Sequence, residues 1–424
     1  MSRNNILELQ NPSKDEVIED TLTDFLRDSA QKMLKVAIES EVIDFISNNE
    51  EKLSNGHNRV VRNGYLPERN IQTGIGNISV KVPRVRDRGN GDLVFTSSFI
   101  PPYMRRTVTM DVLLPLLYLK GISTNDFKVA FEPILGSKAK NLSPQVISRL
   151  KEGWYKEFTT WQKRDLSQKN YVYFWVDGVY LEARMESDKN CILVIIGADE
   201  NGKKELIAIS DGVRESKQSW RELLLDLKDR GLKEYPKVSI GDGALGFWGA
   251  VTEVFPDTKH QRCWVHKTMN ILDKLPKSNR SKAKEMLQEI YSSENKDDAC
   301  VAFNKFINKY EAKYPKVVEC LIKDKDDLLT FYDFPAEHWI HLRTTNPIES
   351  TFSTVKHKTR KSKNCFSRKT ILASVFKLFL EAEKRWIPLR GKKRIAEVIQ
   401  LHKFVDGINQ NEVLIENQQI KYAA

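Results

Sequence analysis

Residues 171 to 210 hold three apolar runs in close succession, and they constrain the fold more than any other feature of this chain. The runs are YVYFWVDGVYLEAR (171–184), CILVIIGADE (191–200) and KELIAIS (204–210). β-Branched and aromatic residues dominate them, and DENG at 199–202 is a turn sequence, so three antiparallel strands are expected. Ser219 then reads as the cap of a helix whose Trp220, Leu223, Leu224 and Leu227 share one face and which ends at Gly231. KVSIGDG (237–243) reads as a short buried strand, Phe247 to Phe255 as a helix, and HQRCWV (260–265) as another strand.

Three antiparallel strands, a crossing helix, a strand, a helix and a strand are the order of an α/β RNase H-like core. About 70 charge-rich residues with helical patterning follow, and an all-α insertion is expected there before the core resumes. Upstream, residues 15 to 53 have helical spacing, and 59 to 88 are short alternating runs punctuated by glycine, which suggests a basic hairpin or meander. Residues 104 to 165 return to helices, the last opened by Ser143 and Pro144. That stretch is either a plain helical bundle or a helix-turn-helix presenting Gln145, Ser148 and Arg149 to a DNA groove. The expected organisation is a helical segment (1–58), a small basic β-rich module (59–103), a helical, DNA-binding module (104–167), the first part of the core (168–266), the all-α insertion (267–337), a core helix (338–370) and a basic helical C-terminal segment (371–424).

A chain of 424 residues with 40% hydrophobic content can bury a sizeable core. The longest apolar run, Val112 to Leu119, is broken by Pro115, so neither a signal peptide nor a membrane span is expected. Five cysteines (191, 263, 300, 320 and 365) lack framework spacing, which points to reduced thiols in a cytoplasmic protein. Net charge is +11, and Glu337 to Arg394 alone contains fifteen Lys/Arg against four Asp/Glu, the whole of that surplus. So concentrated a basic stretch is either a solvated helical face or the footprint of a polyanion.

Three carboxylates carry the candidate chemistry. Asp177 stands among Phe174, Trp175 and Val176, where an unpaired carboxylate is costly; its other reading is an Asp-Gly turn. Asp242 follows Val238-Ser239-Ile240 between two glycines, at the carboxyl end of a strand, and also reads as a turn residue. Glu349 follows Asn346 and Pro347, so a helix cap at Asn346 would explain it without chemistry. Ser353, Lys356 and Arg360 nevertheless recur down the same helical face, while Ile348, Phe352 and Val355 supply the core-facing stripe. Carboxylates from separate elements suit a pair of Mg²⁺ (or Mn²⁺) ions, hard cations that take oxygen ligands and serve in-line phosphoryl transfer.

With these residues in view, the chain resembles the Mutator-type transposases of bacterial insertion sequences. The resemblance runs through RNGYLPERNIQTGIGNISVKVPRVRDR, VDGVYLEAR, IGDGALGFWGAV, HQRCWVHK and RTTNPIESTFSTVKHKTRK, covering most of 59 to 370 in order. It implies a DDE triad at Asp177, Asp242 and Glu349 holding two metal ions, N-terminal modules that bind terminal inverted repeats, and a bacterial, nucleoid-associated enzyme. Dimers or higher assemblies on double-stranded DNA, both element ends and target, are expected with it. Arg84, Arg86, Arg149, Arg343, Lys356, Arg360 and Lys361 are the expected DNA contacts. The resemblance also marks Cys263 and His266 as a Cys-x2-His pair. They are either half of a zinc site, with His338 and His341 as the other half, or a core cysteine and a histidine near the DNA end. Trp248 and Trp264 read as core packing rather than base-stacking platforms. Competing functions are a structure-specific nuclease that does not join DNA and a non-catalytic DNA-binding derivative.

Overall fold

A computed structural model describes residues 21–107, 109–110, 113, 117–118, 122, 144–181, 190–212, 214–243, 245–361 and 367–415. At 144–147, 181, 190, 245 and 357–361 the description is of backbone alone. Contacts divide the chain into two units, Met1–Ser148 and Arg149–Ala424. No helix among the described residues is long and apolar enough to cross a membrane.

In the first unit, helix α1 (Thr21–Asn48) precedes four short strands, β1 (Val60–Tyr65), β2 (Arg69–Thr73), β3 (Gly76–Val80) and β4 (Pro83–Asp87). β1 pairs with β4 and β2 with β3, all antiparallel, so the second pair is nested inside the first along the chain. α1 buries Ile38 against a cluster of Ile71, Ile78, Val80, Val82 and Ile100. Arg84 and Arg86 alternate outward on β4 and are exposed. The helices expected between 104 and 143, and with them most of the helix-turn-helix, lie outside the described residues.

Helix α2 (Pro144–Gln162) begins in the first unit and lies mostly in the second, and its Arg149 is exposed. A five-stranded mixed sheet follows, of β5 (Tyr171–Leu181), β6 (Asn190–Asp199), β7 (Lys204–Gly212), β8 (Val238–Gly241) and β9 (Lys259–Arg262), in the order β7-β6-β5-β8-β9. β5, β6 and β7 pair antiparallel; helices α3 (Lys217–Asp229) and α4 (Leu245–Val254) carry the chain back so that β8 and β9 run parallel to β5. The β6–β7 turn is set by Asp199, whose Oδ1 accepts the Asn201 and Lys203 N–H groups at 2.9 and 2.8 Å.

β5 is apolar on both faces because both are covered. Phe174 and Val176 face the cluster of Trp220, Leu224, Leu227, Phe247 and Val251 from α3 and α4. Tyr173 and Trp175 face the other way, toward Phe334, His338 and His341. From Trp264 to Leu342 the elements are helical: α5 (Trp264–Leu272), α6 (Lys277–Ser292), α7 (Lys296–Tyr310), α8 (Pro315–Ile322), α9 (Lys325–Leu329), two 3-10 turns and α10 (Trp339–Leu342). α11 (Asn346–Lys361), α12 (Arg368–Glu383) and α13 (Lys392–Ile399) follow.

Several sequence expectations shift. Ser216, not Ser219, caps α3: its Oγ accepts the Ser219 N–H at 3.1 Å, so the second serine is the donor in the motif. β9 ends at Arg262, and Cys263 begins the turn into α5 rather than lying in a strand. The helix bearing Glu349 starts at Asn346, so Thr345 takes the preceding place expected of Asn346. The C-terminal segment is not wholly helical, because β10 (Phe404–Val405) and β11 (Ile408–Asn409) form a tight hairpin. Its turn residues Asp406 and Gly407 have φ of 50° and 79°, the left-handed backbone that an Asp-Gly pair tolerates.

Candidate active site

Asp177 and Asp242 are set side by side by strand register. β5 and β8 are parallel, with Tyr173 opposite Val238 and Trp175 opposite Ile240. Two residues further along each strand stand Asp177 and Asp242, on the face shared by Tyr173 and Trp175. Asp177 is not in a turn: it pairs with Val194 in mid-strand, because β5 continues along β6 after β8 has ended. The Gly178 N–H donates to Asp177 Oδ1 at 2.8 Å, and the Gly243 N–H donates to Asp242 Oδ1. The Asp242 carbonyl accepts from Trp248 Nε1 at 3.0 Å and from Arg262 Nη1 at 2.7 Å. Trp248 therefore holds the end of β8, a role beyond the core packing expected of it, whereas Trp264 is buried and donates to the Leu328 carbonyl.

Glu349 approaches from α11, whose Ile348, Phe352 and Val355 are buried along one stripe. The Thr345 hydroxyl donates to Glu349 Oε1 at 2.7 Å. The same oxygen lies 3.7 Å from Cys263 Sγ, which can donate to it, and 3.6 Å from His266 Nδ1. The Thr345 backbone N–H donates to Cys263 Sγ at 3.4 Å. Cys263 and His266 come together because the first precedes α5 and the second lies in its first turn.

A fourth carboxylate, Glu215, was not singled out from sequence. It leads into the Ser216 cap of α3, and its backbone N–H donates to the Tyr180 hydroxyl at 3.3 Å. A Cβ added at Gly178 would lie 2.9 Å from its carboxyl carbon, so glycine beside Asp177 is what admits it. Burial pushes the Glu215 carboxyl up to about 7, with the negative charge of Asp242 adding and His266 opposing. Burial likewise pushes Asp177 up to about 7; His266 and the Gly178 N–H oppose this, while Glu215 and Asp242 add to it. Asp177, Asp242, Glu215 and His266 thus form one electrostatic neighbourhood, which Glu349 joins through His266.

Behind it lies a buried ion network. Arg262 Nη2 meets Asp324 Oδ2 at 3.0 Å, Lys267 pairs with the same oxygen, and Lys267 Nζ donates to the Cys320 carbonyl at 2.9 Å. Burial alone would raise the Asp324 carboxyl, yet its Lys267 and Arg262 partners hold it below the ordinary range. The network ties the end of β9 to α5 and the α8–α9 turn.

Other residues expected to act here lie elsewhere or differ in exposure. His338 and His341 do not join Cys263 and His266. His338 Nδ1 is 2.7 Å from the Tyr173 hydroxyl, and His341 Nδ1 is 3.2 Å from Lys204 Nζ while its Nε2 accepts the Arg390 N–H. Arg343 is half-buried, its guanidinium 4.7 Å from the Phe331 ring centroid and 5.6 Å from that of Trp339. Lys356 is exposed on α11. The side chains of Arg360 and Lys361 lie outside the described residues.

Comparison with known proteins gives a consistent picture. A family model described as "Transposase, Mutator family" matches residues 1–388. The transposase for insertion sequence element IST2 of Acidithiobacillus ferrooxidans is 49% identical over 290 residues, 68% of this chain and 98% of that protein. The transposase for IS6120 of Mycolicibacterium smegmatis is 50% identical over 289 residues, 68% and 89% of the two chains. The transposase for IS905 of Lactococcus lactis subsp. lactis is 29% identical over 341 residues, 80% and 84%.

Proposed function

The chain belongs to the Mutator family of transposases, and we propose that it cleaves and joins DNA by metal-dependent phosphoryl transfer at Asp177, Asp242 and Glu349. The observation that carries this reading is the parallel register of β5 and β8, which aligns Asp177 with Asp242 on the face that Glu349 approaches. We read the sheet order, three antiparallel strands followed by two parallel ones, as an RNase H-like core with the helices after β9 as its insertion.

The residues fit a pair of hard divalent ions. Their donors are carboxylate oxygens, and burial beside like charges makes the ionised forms of Asp177 and Glu215 unfavourable until a cation arrives. Asp177, Asp242 and Glu349 would hold Mg²⁺ or Mn²⁺, which when bound supplies Lewis-acid activation of the attacking and leaving oxygens. The chain's part is orientation. Gly178 N–H fixes one oxygen of Asp177, Trp248 and Arg262 anchor the backbone of Asp242, and the Thr345 hydroxyl fixes Glu349 Oε1. Exposed Arg84, Arg86, Arg149 and Lys356 are suited to phosphate contacts, and terminal inverted repeats are the expected DNA. Because two element ends must be processed together, the active form is expected to contain at least two copies.

The test uses the purified chain and DNA carrying the element's ends and a target. Asp177→Asn should retain binding and lose both cleavage and joining; cleavage that persists would remove Asp177 from the chemistry. Joined products from the wild type separate a transposase from a nuclease on the same core.

A further inference from the structure

We propose that Cys263, His266 and Glu349 form a tetrahedral site for a borderline-soft divalent ion such as Zn²⁺, sharing Glu349 with the phosphoryl-transfer centre. Their ligand atoms all lie within 4.8 Å of one another. Bonds of about 2.0 to 2.3 Å to a tetrahedral zinc place neighbouring ligand atoms roughly 3.3 to 3.8 Å apart. The Sγ–Oε1 separation of 3.7 Å and the Nδ1–Oε1 separation of 3.6 Å fall in that interval, and Sγ lies within 4.8 Å of the imidazole.

The surroundings are those of a built site. Cys263 is 1% exposed and Thr345 fully buried, so two of the converging side chains are fixed by packing. The Thr345 hydroxyl lies 2.7 Å from Oε1, 3.3 Å from Sγ and 3.5 Å from Nδ1; its hydrogen bond to Oε1 orients the carboxylate, and water would complete the tetrahedron. Sulfur and imidazole donors favour Zn²⁺ or Co²⁺ over Mg²⁺, and a thiolate with a carboxylate balances a double positive charge. The His338 and His341 pair is not needed, because Glu349 supplies the third ligand. An ion here would engage Glu349 Oε1, so a metal at Asp177 and Asp242 that also takes Glu349 as a ligand would compete with it for one side chain.

Titration of the full chain with Co²⁺ alone, in the absence of DNA, tests the site by its spectrum. Intense visible d–d bands with a near-ultraviolet thiolate-to-cobalt charge-transfer band are expected, and Zn²⁺ should abolish both. Cys263→Ser should lose the charge-transfer band and His266→Ala the intensity of the d–d bands. Zn²⁺ should raise the Tm of the wild type but not of Cys263→Ser. Melting curves without metal establish that each variant is folded; should Cys263→Ser fail to fold, His266→Ala carries the test. A weak octahedral spectrum, unchanged by either substitution, overturns the proposal. Competition by excess Mg²⁺ rests on the transposase reading of Glu349: its absence would refute the shared carboxylate while leaving the Co²⁺ spectrum to decide the site.

Discussion

Glu349 depends on neighbours for its aim, and the shortest of its contacts is the most informative. The Thr345 hydroxyl, 2.7 Å from Oε1, is a donor to a carboxylate, a type of hydrogen bond worth about 1.5–3 kcal/mol. Thr345→Val keeps the shape and removes the donor, so the Mg²⁺ concentration giving half-maximal cleavage should rise about 10-fold or more. An unchanged metal requirement would make the hydroxyl a bystander. Asp177, Asp242 and Glu349 were legible in sequence because each carries a distinctive local setting: an acid amid bulky apolar residues, an acid between glycines at a strand end, and an acid heading a basic helix. Thr345 and Glu215 were not. Each lies next to a helix start, where threonine and glutamate are ordinary, and only the return of the chain brings them to the cluster. Asp177-Gly178 shows the limit of dipeptide signals. It continues a strand, whereas Asp406-Gly407 turns one.

At the level of elements, the end of β9 is joined to the helices beyond it through a charge network with two cations and one shared anion. Side-chain exposures of 10% for Arg262, 6% for Lys267 and 11% for Asp324 keep it from being screened as a surface pair would be. Asp324→Ala leaves two cations in that environment and should cost about 3–5 kcal/mol of stability, measured by denaturant unfolding. A loss below about 1 kcal/mol would mean that water reaches the network freely. Arg262 also holds the Asp242 carbonyl, so the same variant should impair cleavage more than binding. The strands and their order were legible because alternation and turn chemistry are local. Element ends were less so: Ser216 and Ser219 both suit a cap, and Cys263 continues an apolar run although the backbone has already turned into α5.

For the whole molecule, the balance of protons links the cluster to stability. Burial first, then the neighbouring negative charges, holds Asp177 and Glu215 up to about 7 in the folded chain. The folded state therefore keeps protons that the unfolded chain releases, and stability falls as pH rises from the ordinary carboxylate range to about 7. Without divalent ions the wild-type Tm should drop more across that interval than the Tm of Asp177→Asn; parallel curves would mean that Asp177 is ionised throughout. Mg²⁺, which binds the ionised forms, should stabilise most at the upper end. The basic surplus between Glu337 and Arg394 was plain in composition, but which of its members face solvent was not: Arg343 lies against aromatic rings while Lys356 is exposed. Lys356 and Glu349 ride on one helix, about 10 Å apart along its axis. A polyanion gripping the first and a cation gripping the second thus bias the same rigid rod. Reciprocity demands that any factor by which the ion tightens the hold on the polyanion is returned in full by the polyanion to the ion. A chain built this way can stay weakly metallated until DNA arrives, with no separate sensor for its substrate.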